Sequence, residues 1–179
     1  MFMILWFLSA RRRKLRASAK FWYAYCVNRA RRAHYYANWQ VPDTIDGRFD
    51  MITLHLSLLI IALRAERNRD AAFVQQALFD CLFQDMERNL REMGVGDLAV
   101  PKRIKKMMLA FNGRLHSYAA AIESKELLAK ALWRNVYREQ TVDAEILGLF
   151  AEEAMALFKE YSMFDFENII DPAAIDAAA

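Results

Sequence analysis

Acidic, histidine and cysteine side chains are the ones in this 179-residue chain that could carry out chemistry, and their spacing decides what kind. Asp80, Asp85 and Glu87 form an acid-rich stretch of the sort that holds diphosphate through magnesium in all-α prenyl-transfer enzymes. On a helix, residues five apart are rotated by about 140°, so Asp80 and Asp85 diverge, and no second acidic motif faces them. His34, His55 and His116 fall on separate segments without the carboxylate or Cys spacing of a zinc or haem site. Cys26 and Cys81 lie inside periodic apolar segments, as thiols do when they serve as small core residues in a reducing compartment. No phosphate-binding glycine loop, nucleophile elbow or Cys-His pairing accompanies them. The chain reads as a non-enzyme with no cofactor or metal.

Charge is the stronger signal. Lys102, Arg103, Lys105 and Lys106 crowd the start of a helical segment, where the partial positive charge of the helix end disfavours each cation by about 0.3 to 1 kcal/mol. On a helical wheel they span about 160°, opposite the stripe of Ile104, Met108, Phe111, Leu115 and Ile122. Two readings stand: a docking site for phosphates or an acidic surface, and a solvated face neutralised by the acidic end of the chain. The charge is indeed polarised. Residues 1–48 hold ten Lys and Arg against Asp43 and Asp46, whereas residues 139–179 hold Lys159 against ten acids. Met1 to Leu8, MFMILWFL, is apolar and runs directly into Arg11, Arg12, Arg13, Lys14 and Arg16. It is shorter than the roughly 20 residues that span a bilayer, and its order of apolar then basic is the reverse of a secretory signal. Trp6, Phe7, Arg11, Arg12, Arg13 and Lys14 are therefore candidates for reversible contact with an anionic membrane face, against the alternative of a disordered N-terminus.

The elements that must position these groups are all helical. Runs of alternating β-branched residues are missing, and 56% of the residues are hydrophobic, enough for one well-filled core. A first helix is expected from about Leu15 to Trp39, with Trp22, Cys26, Ala33 and Tyr36 near one face. Arg48 to Arg67 is apolar on nearly all sides and so central. Ala71 to Met93 carries the stripe Phe79, Leu82, Phe83, Met86, Leu90 and Met93, with Gly94 placed to end it in a Schellman cap. Pro101 suits the first turn of a helix reaching about Ile122. Ser124 and Thr141 are expected N-caps for helices near Lys125 to Arg138 and Val142 to Phe164. A line of small residues, Ala110, Gly113, Ser117, Ala120, Ala121 and Ser124, follows the basic cluster and would let another helix come close. The expectation is an all-α, compact single-domain bundle of about six helices: an apolar and basic segment at 1–14, the helical domain at 15–164 and a disordered tail at 165–179.

Two loop blocks carry the functional reading. VPDTIDGRFDM, Val41 to Met51, and NLREMGVGDLAVPKRIKKM, Asn89 to Met107, put Gly, Pro and Asp between periodic helices. Asp43, Asp46, Arg48 and Asp50 surround Gly47, where capping of the turn and of the next helix is the expected role. His55 on the helix that follows is expected to be a hydrogen-bonded core histidine. In their order and spacing the two blocks resemble the ubiquinol-cytochrome c chaperone family over roughly Phe21 to Phe164.

That resemblance implies a non-catalytic assembly chaperone that binds newly made cytochrome b, with the ribosome and a small co-chaperone as further partners. It implies a place on the cytoplasmic side of a bacterial inner membrane, or the matrix if the source is mitochondrial. Candidate partner-facing residues, taken from the two blocks, the basic cluster and the small-residue line, are Asp43, Arg48, Asp50, Arg91, Asp97, Lys102, Arg103, Lys105, Lys106, Gly113, Arg114 and Ser117. The chain departs from the family at VNRARRAHYY, which is unusually basic and aromatic. A helical nucleic-acid- or ribosome-binding regulator is the alternative. DNA is not expected as a partner, because Phe21 to Tyr36 looks like bulky core rather than a base-reading helix.

Overall fold

Helical periodicity in the sequence becomes helix along nearly all of the chain. A computed structural model describes residues 2–164 and 166–171, with side chains from Ala10 onward except that of Asn168. The order is α1 (Phe2–Ala30), α2 (Ala33–Ala37), α3 (Ile45–Arg64), α4 (Arg69–Glu92), α5 (Val100–Ala121), α6 (Lys125–Asn135), α7 (Ala144–Met163) and α8 (Phe166–Ile170). Six of these are 11 residues or longer and two are five-residue turns, and the described residues contain no strand.

The helix that is apolar all round sits at the centre. Every residue of α3 from Phe49 to Ile60 is buried, packed against α1, α4, α5 and α7. Its N-terminus is capped by Thr44, whose Oγ1 accepts from the Gly47 amide at 3.0 Å. The neighbouring aspartates, expected as caps, are used elsewhere: Asp43 accepts from Arg48 and Asp46 from Arg138. Gly47 is required by a close approach, because a Cβ there would lie 2.0 Å from the Pro42 carbonyl oxygen.

The stop after α4 is the Schellman cap that Gly94 predicts. Gly94 has φ +77°, and the Val95 amide donates to the Leu90 carbonyl at 3.0 Å. Both cysteines are free thiols, Cys26 buried and Cys81 half-buried.

Several boundaries differ from the sequence reading. The first helix starts at Phe2 and ends at Ala30, so the segment 1–14 does not stand apart from the helix that follows it. The break at Arg31 and Arg32 turns Tyr35 into the core between His55 and Phe150, and the expected stripe is broken: Ala33 is exposed and Tyr36 only half-buried. The last long helix is capped by Asp143, whose Oδ1 accepts from the Glu145 amide at 2.8 Å, rather than by Thr141. Helix α6 ends at Asn135, leaving Arg138 and Glu139 in a loop with φ +54° and +63°. Where a disordered tail is expected, Phe166, Ile169 and Ile170 are buried, and the Ile169 carbonyl accepts from Ser18 Oγ and from Trp22 Nε1 at 3.0 Å. The rest of that tail, residues 172–179, lies outside the described residues.

Candidate functional site

Helix α5 brings most of the candidate residues together, because it packs between α3, α4 and α6 and leaves one face outward. Its inward face is Phe111, Leu115 and Tyr118. Arg114, on the flank, reaches α3 instead of a partner: its Nη2 lies 2.7 Å from Asp50 Oδ1, and its guanidinium sits over the Phe49 ring. Arg138 closes the group from the α6–α7 loop, with Nη2 donating to Asp50 Oδ2 at 3.1 Å and Nη1 to Asp46 at 2.8 Å.

Asp50 is 0% exposed, so its expected partner-facing role is corrected to a structural one, as is that of Arg114. Burial pushes the Asp50 carboxyl up to about 6, with Arg114 and then Arg138 pulling the other way. Two arginines on one buried carboxylate tie together α3, α5 and the α6–α7 loop. Arg138 was missed in the sequence because it is 88 positions from Asp50 and reads as a helix end.

The other predicted residues divide by what they touch. Asp43 and Arg48 pair with each other on the surface at 2.7 Å. Arg91 bridges Glu87, at 2.9 Å, and Asp97, which fixes the loop after α4. Ser117 accepts from Arg134 at 2.7 Å and joins α5 to α6. Gly113, expected to let another helix come close, faces open space, with nothing within 4 Å of a Cβ placed there. Lys102, Arg103, Lys105 and Lys106 are exposed, and none is ion-paired with a described residue. Among the described residues, then, no acid from the end of the chain reaches them at ion-pair distance. Helix α7 directs three of its four acids to other elements: Glu160 to Arg29, Glu153 to His34 at 2.8 Å and to the Trp39 indole, and Glu152 to Lys125.

At the start of α1, Arg11 pairs with Asp70 and Lys14 with Asp171 at 2.9 Å. Arg12 and Arg13 are exposed, and the side chains of Trp6 and Phe7 lie outside the described residues.

His55 is fully buried on α3. Its Nδ1 is 3.3 Å from the Tyr161 hydroxyl, and its Nε2 has no partner. Burial, with lesser contributions from Arg29, Arg32 and His34, holds it neutral with its pKa lowered to about 3. A neutral imidazole sealed in the core is a packing group. No set of three or more His, Cys, Asp or Glu among the described residues is arranged to hold a metal ion.

A shallow open groove of about 360 Å³ runs between α3, α4 and α5. Ile60, Phe79, Phe111 and Leu115 make its apolar floor, and Arg64, Gln75, Gln76 and Asn112 its polar rim. Ile60, Phe111 and Leu115 are themselves buried, so the groove offers a helix or loop a shallow seat whose open surface is in good part polar. The sequence marked the floor as helix stripes but gave no sign that three of them leave a gap. No helix among the described residues is long and apolar enough to cross a membrane.

Three comparisons place this arrangement among known proteins. The family model described as ubiquinol-cytochrome C chaperone matches residues 37–171. The ubiquinol-cytochrome-c reductase complex assembly factor 1 of Xenopus laevis is 23% identical over 158 residues, which are 88% of this chain and 78% of that protein. Its counterpart in Mus musculus is 26% identical over 140 residues, 78% of this chain and 47% of its own, so the chain spans about half the length of that relative. The crystal structure of the Cbp3 homolog from Brucella abortus superposes with a TM-score of 0.80 at 29% identity, covering 95% of this chain and 93% of that one.

Proposed function

The chain belongs to the ubiquinol-cytochrome C chaperone family, and from that premise we propose that it binds newly made cytochrome b and hands it on during assembly of the cytochrome bc complex. The family is one of assembly chaperones and not of enzymes. The observation that carries the reading is the continuity of the likeness: one fold is shared over 95% of this chain with the Cbp3 homolog.

The client's apolar helix or loop docks in the groove between α3, α4 and α5. Its floor is apolar and its rim polar, and the surrounding bundle is held rigid by the Asp50 ion pairs. A preformed groove loses little entropy on binding, so a small contact area is enough to hold the client. Release follows from competition, as folding, haem insertion or the next subunit claims the same client surface. The ribosome and a small co-chaperone are the further partners in this reading. It works at the cytoplasmic side of the inner membrane in a bacterium, or in the matrix of a mitochondrion.

Deleting the gene and measuring assembled cytochrome bc complex tests this. Loss of the complex and of mature cytochrome b, restored by the intact gene, is the expected result; normal levels of both would end the proposal.

A further inference from the structure

The corner between α4 and α5 carries a surface that client binding in the groove leaves unused. Leu98 is 99% exposed and Leu109 is 66% exposed. Between them lie Lys102, Lys105 and Lys106, which with Leu109 share an arc of about 100° on the outward face of α5, while Arg103 flanks it. Leu98 continues this row, because the Ala99 and Val100 amides already donate to the Gly96 carbonyl and begin the helical winding before α5. From Leu98 to Leu109 the row is about 16 Å long. No Asp or Glu occurs from Val100 to Ile122, and Asp97 is held by Arg91.

The corner is also stiff. The left-handed Gly94 and the Val95 to Leu90 hydrogen bond fix its entry, and Pro101 sits in the first turn of its exit. Leu98 is thereby presented outward.

A single exposed leucine needs no explanation, but two at the ends of one row of cations that meet no acid at ion-pair distance among the described residues match a specific partner. Aliphatic tips enter the boundary between lipid headgroups and acyl chains, while lysines extend to the phosphates around them. An acidic polypeptide or RNA would use the cations and leave Leu98 in water. We propose that this corner, Leu98 and Leu109 with Lys102, Lys105 and Lys106, is the chain's contact with an anionic phospholipid surface. It stands apart from the start of α1, which packs beside the first turn of α4 through Arg11 and Asp70, about 36 Å away along the 24 residues of that helix. It also stands whether or not cytochrome b is the client.

The test is cosedimentation of the full chain with vesicles of phosphatidylcholine alone and of phosphatidylcholine mixed with phosphatidylglycerol, at low and high salt. The chain should bind only the anionic vesicles and should leave them as salt rises. Leu98→Asp, and separately Lys102→Gln with Lys105→Gln and Lys106→Gln, should each weaken binding about tenfold or more. Arg12→Gln with Arg13→Gln tests the start of α1 as the rival membrane contact, and binding should survive it. Circular dichroism and an unchanged melting temperature confirm that these surface variants are folded. No binding to anionic vesicles overturns the proposal, as does binding abolished by the Arg12 and Arg13 changes alone. Binding that needs the lysines but is indifferent to Leu98→Asp, and that polyglutamate or RNA competes away, identifies an acidic-polymer site and overturns it too.

Discussion

Asp50 of α3 and Arg114 of α5 meet at 2.7 Å with the carboxylate wholly out of water. The contact is a charge pair without hydrogen-bond alignment, and Arg114 Nε beside it is buried without a partner. Desolvation offsets much of the attraction, so the pair orders α3 against α5 more than it adds net stability.

Breaking one side should nevertheless be costly. Asp50→Ala leaves Arg114 buried and unpaired and is expected to destabilise the fold by about 3 to 5 kcal/mol. Asp50→Leu combined with Arg114→Met should recover most of that loss, since it removes both buried charges. Urea unfolding of the single and double variants measures the difference.

Gly47→Ala should destabilise by about 1 to 3 kcal/mol, as overpacking does. The added methyl would stand 2.0 Å from the Pro42 carbonyl oxygen, and a backbone atom has little freedom to retreat. Gly113→Ala is the control: nothing lies within 4 Å of its Cβ, and helix propensity predicts a gain of up to about 1 kcal/mol. The midpoint of chemical denaturation should move in opposite directions for the two.

The pH dependence should carry two opposed signatures. His55 has a folded pKa of about 3 against about 6.5 unfolded, so between these values the unfolded chain binds a proton that the folded one refuses. Stability from this group is complete above pH 6.5 and falls by about 1.4 kcal/mol per unit as acid is added. Asp50 has the reverse sign. Its folded pKa of about 6 lies above the unfolded 3.8, so its contribution is complete below 3.8 and is lost as pH rises through 6. Between about pH 4 and 6 the two nearly cancel in the native sequence. In Asp50→Asn the acid loss should steepen from pH 6.5 downward, and in His55→Asn stability should rise on acidification from pH 6 to 4. Equal slopes in both variants would show that neither group is perturbed as described.

Ala72→Trp should block the groove without touching the core, since Ala72 is exposed on its wall. The variant should keep native stability within about 0.5 kcal/mol, lose capture of newly made cytochrome b, and fail to restore the cytochrome bc complex in a deletion strain. Full restoration would move the client site elsewhere on the surface.

How much of this was legible in the sequence follows from the range of the forces involved. The α4 stripe, the Gly94 cap, the Ser124 cap and the central place of α3 depend on residues within a few positions of one another, and the chain states them directly. The family likeness was legible for a related reason: its two loop blocks are contiguous, and turn chemistry is local. The break at Arg31 and Arg32 was hidden because nothing local forbids a longer helix there; burial of Tyr35 beside His55 and Phe150 requires the turn.

The sequence by itself determined an all-α bundle, its helices to within a few residues at most ends, and a non-catalytic chaperone family. Only the tertiary structure decided which charges face water. Asp50 and Arg114 look like surface groups until the packing of α3 against α5 brings them together and adds Arg138, 88 positions from Asp50, while Lys102, Arg103, Lys105 and Lys106 meet no acid at ion-pair distance among the described residues. An ion pair needs a few ångströms of proximity between groups far apart in the chain, and that distance is set by packing, which no local pattern encodes.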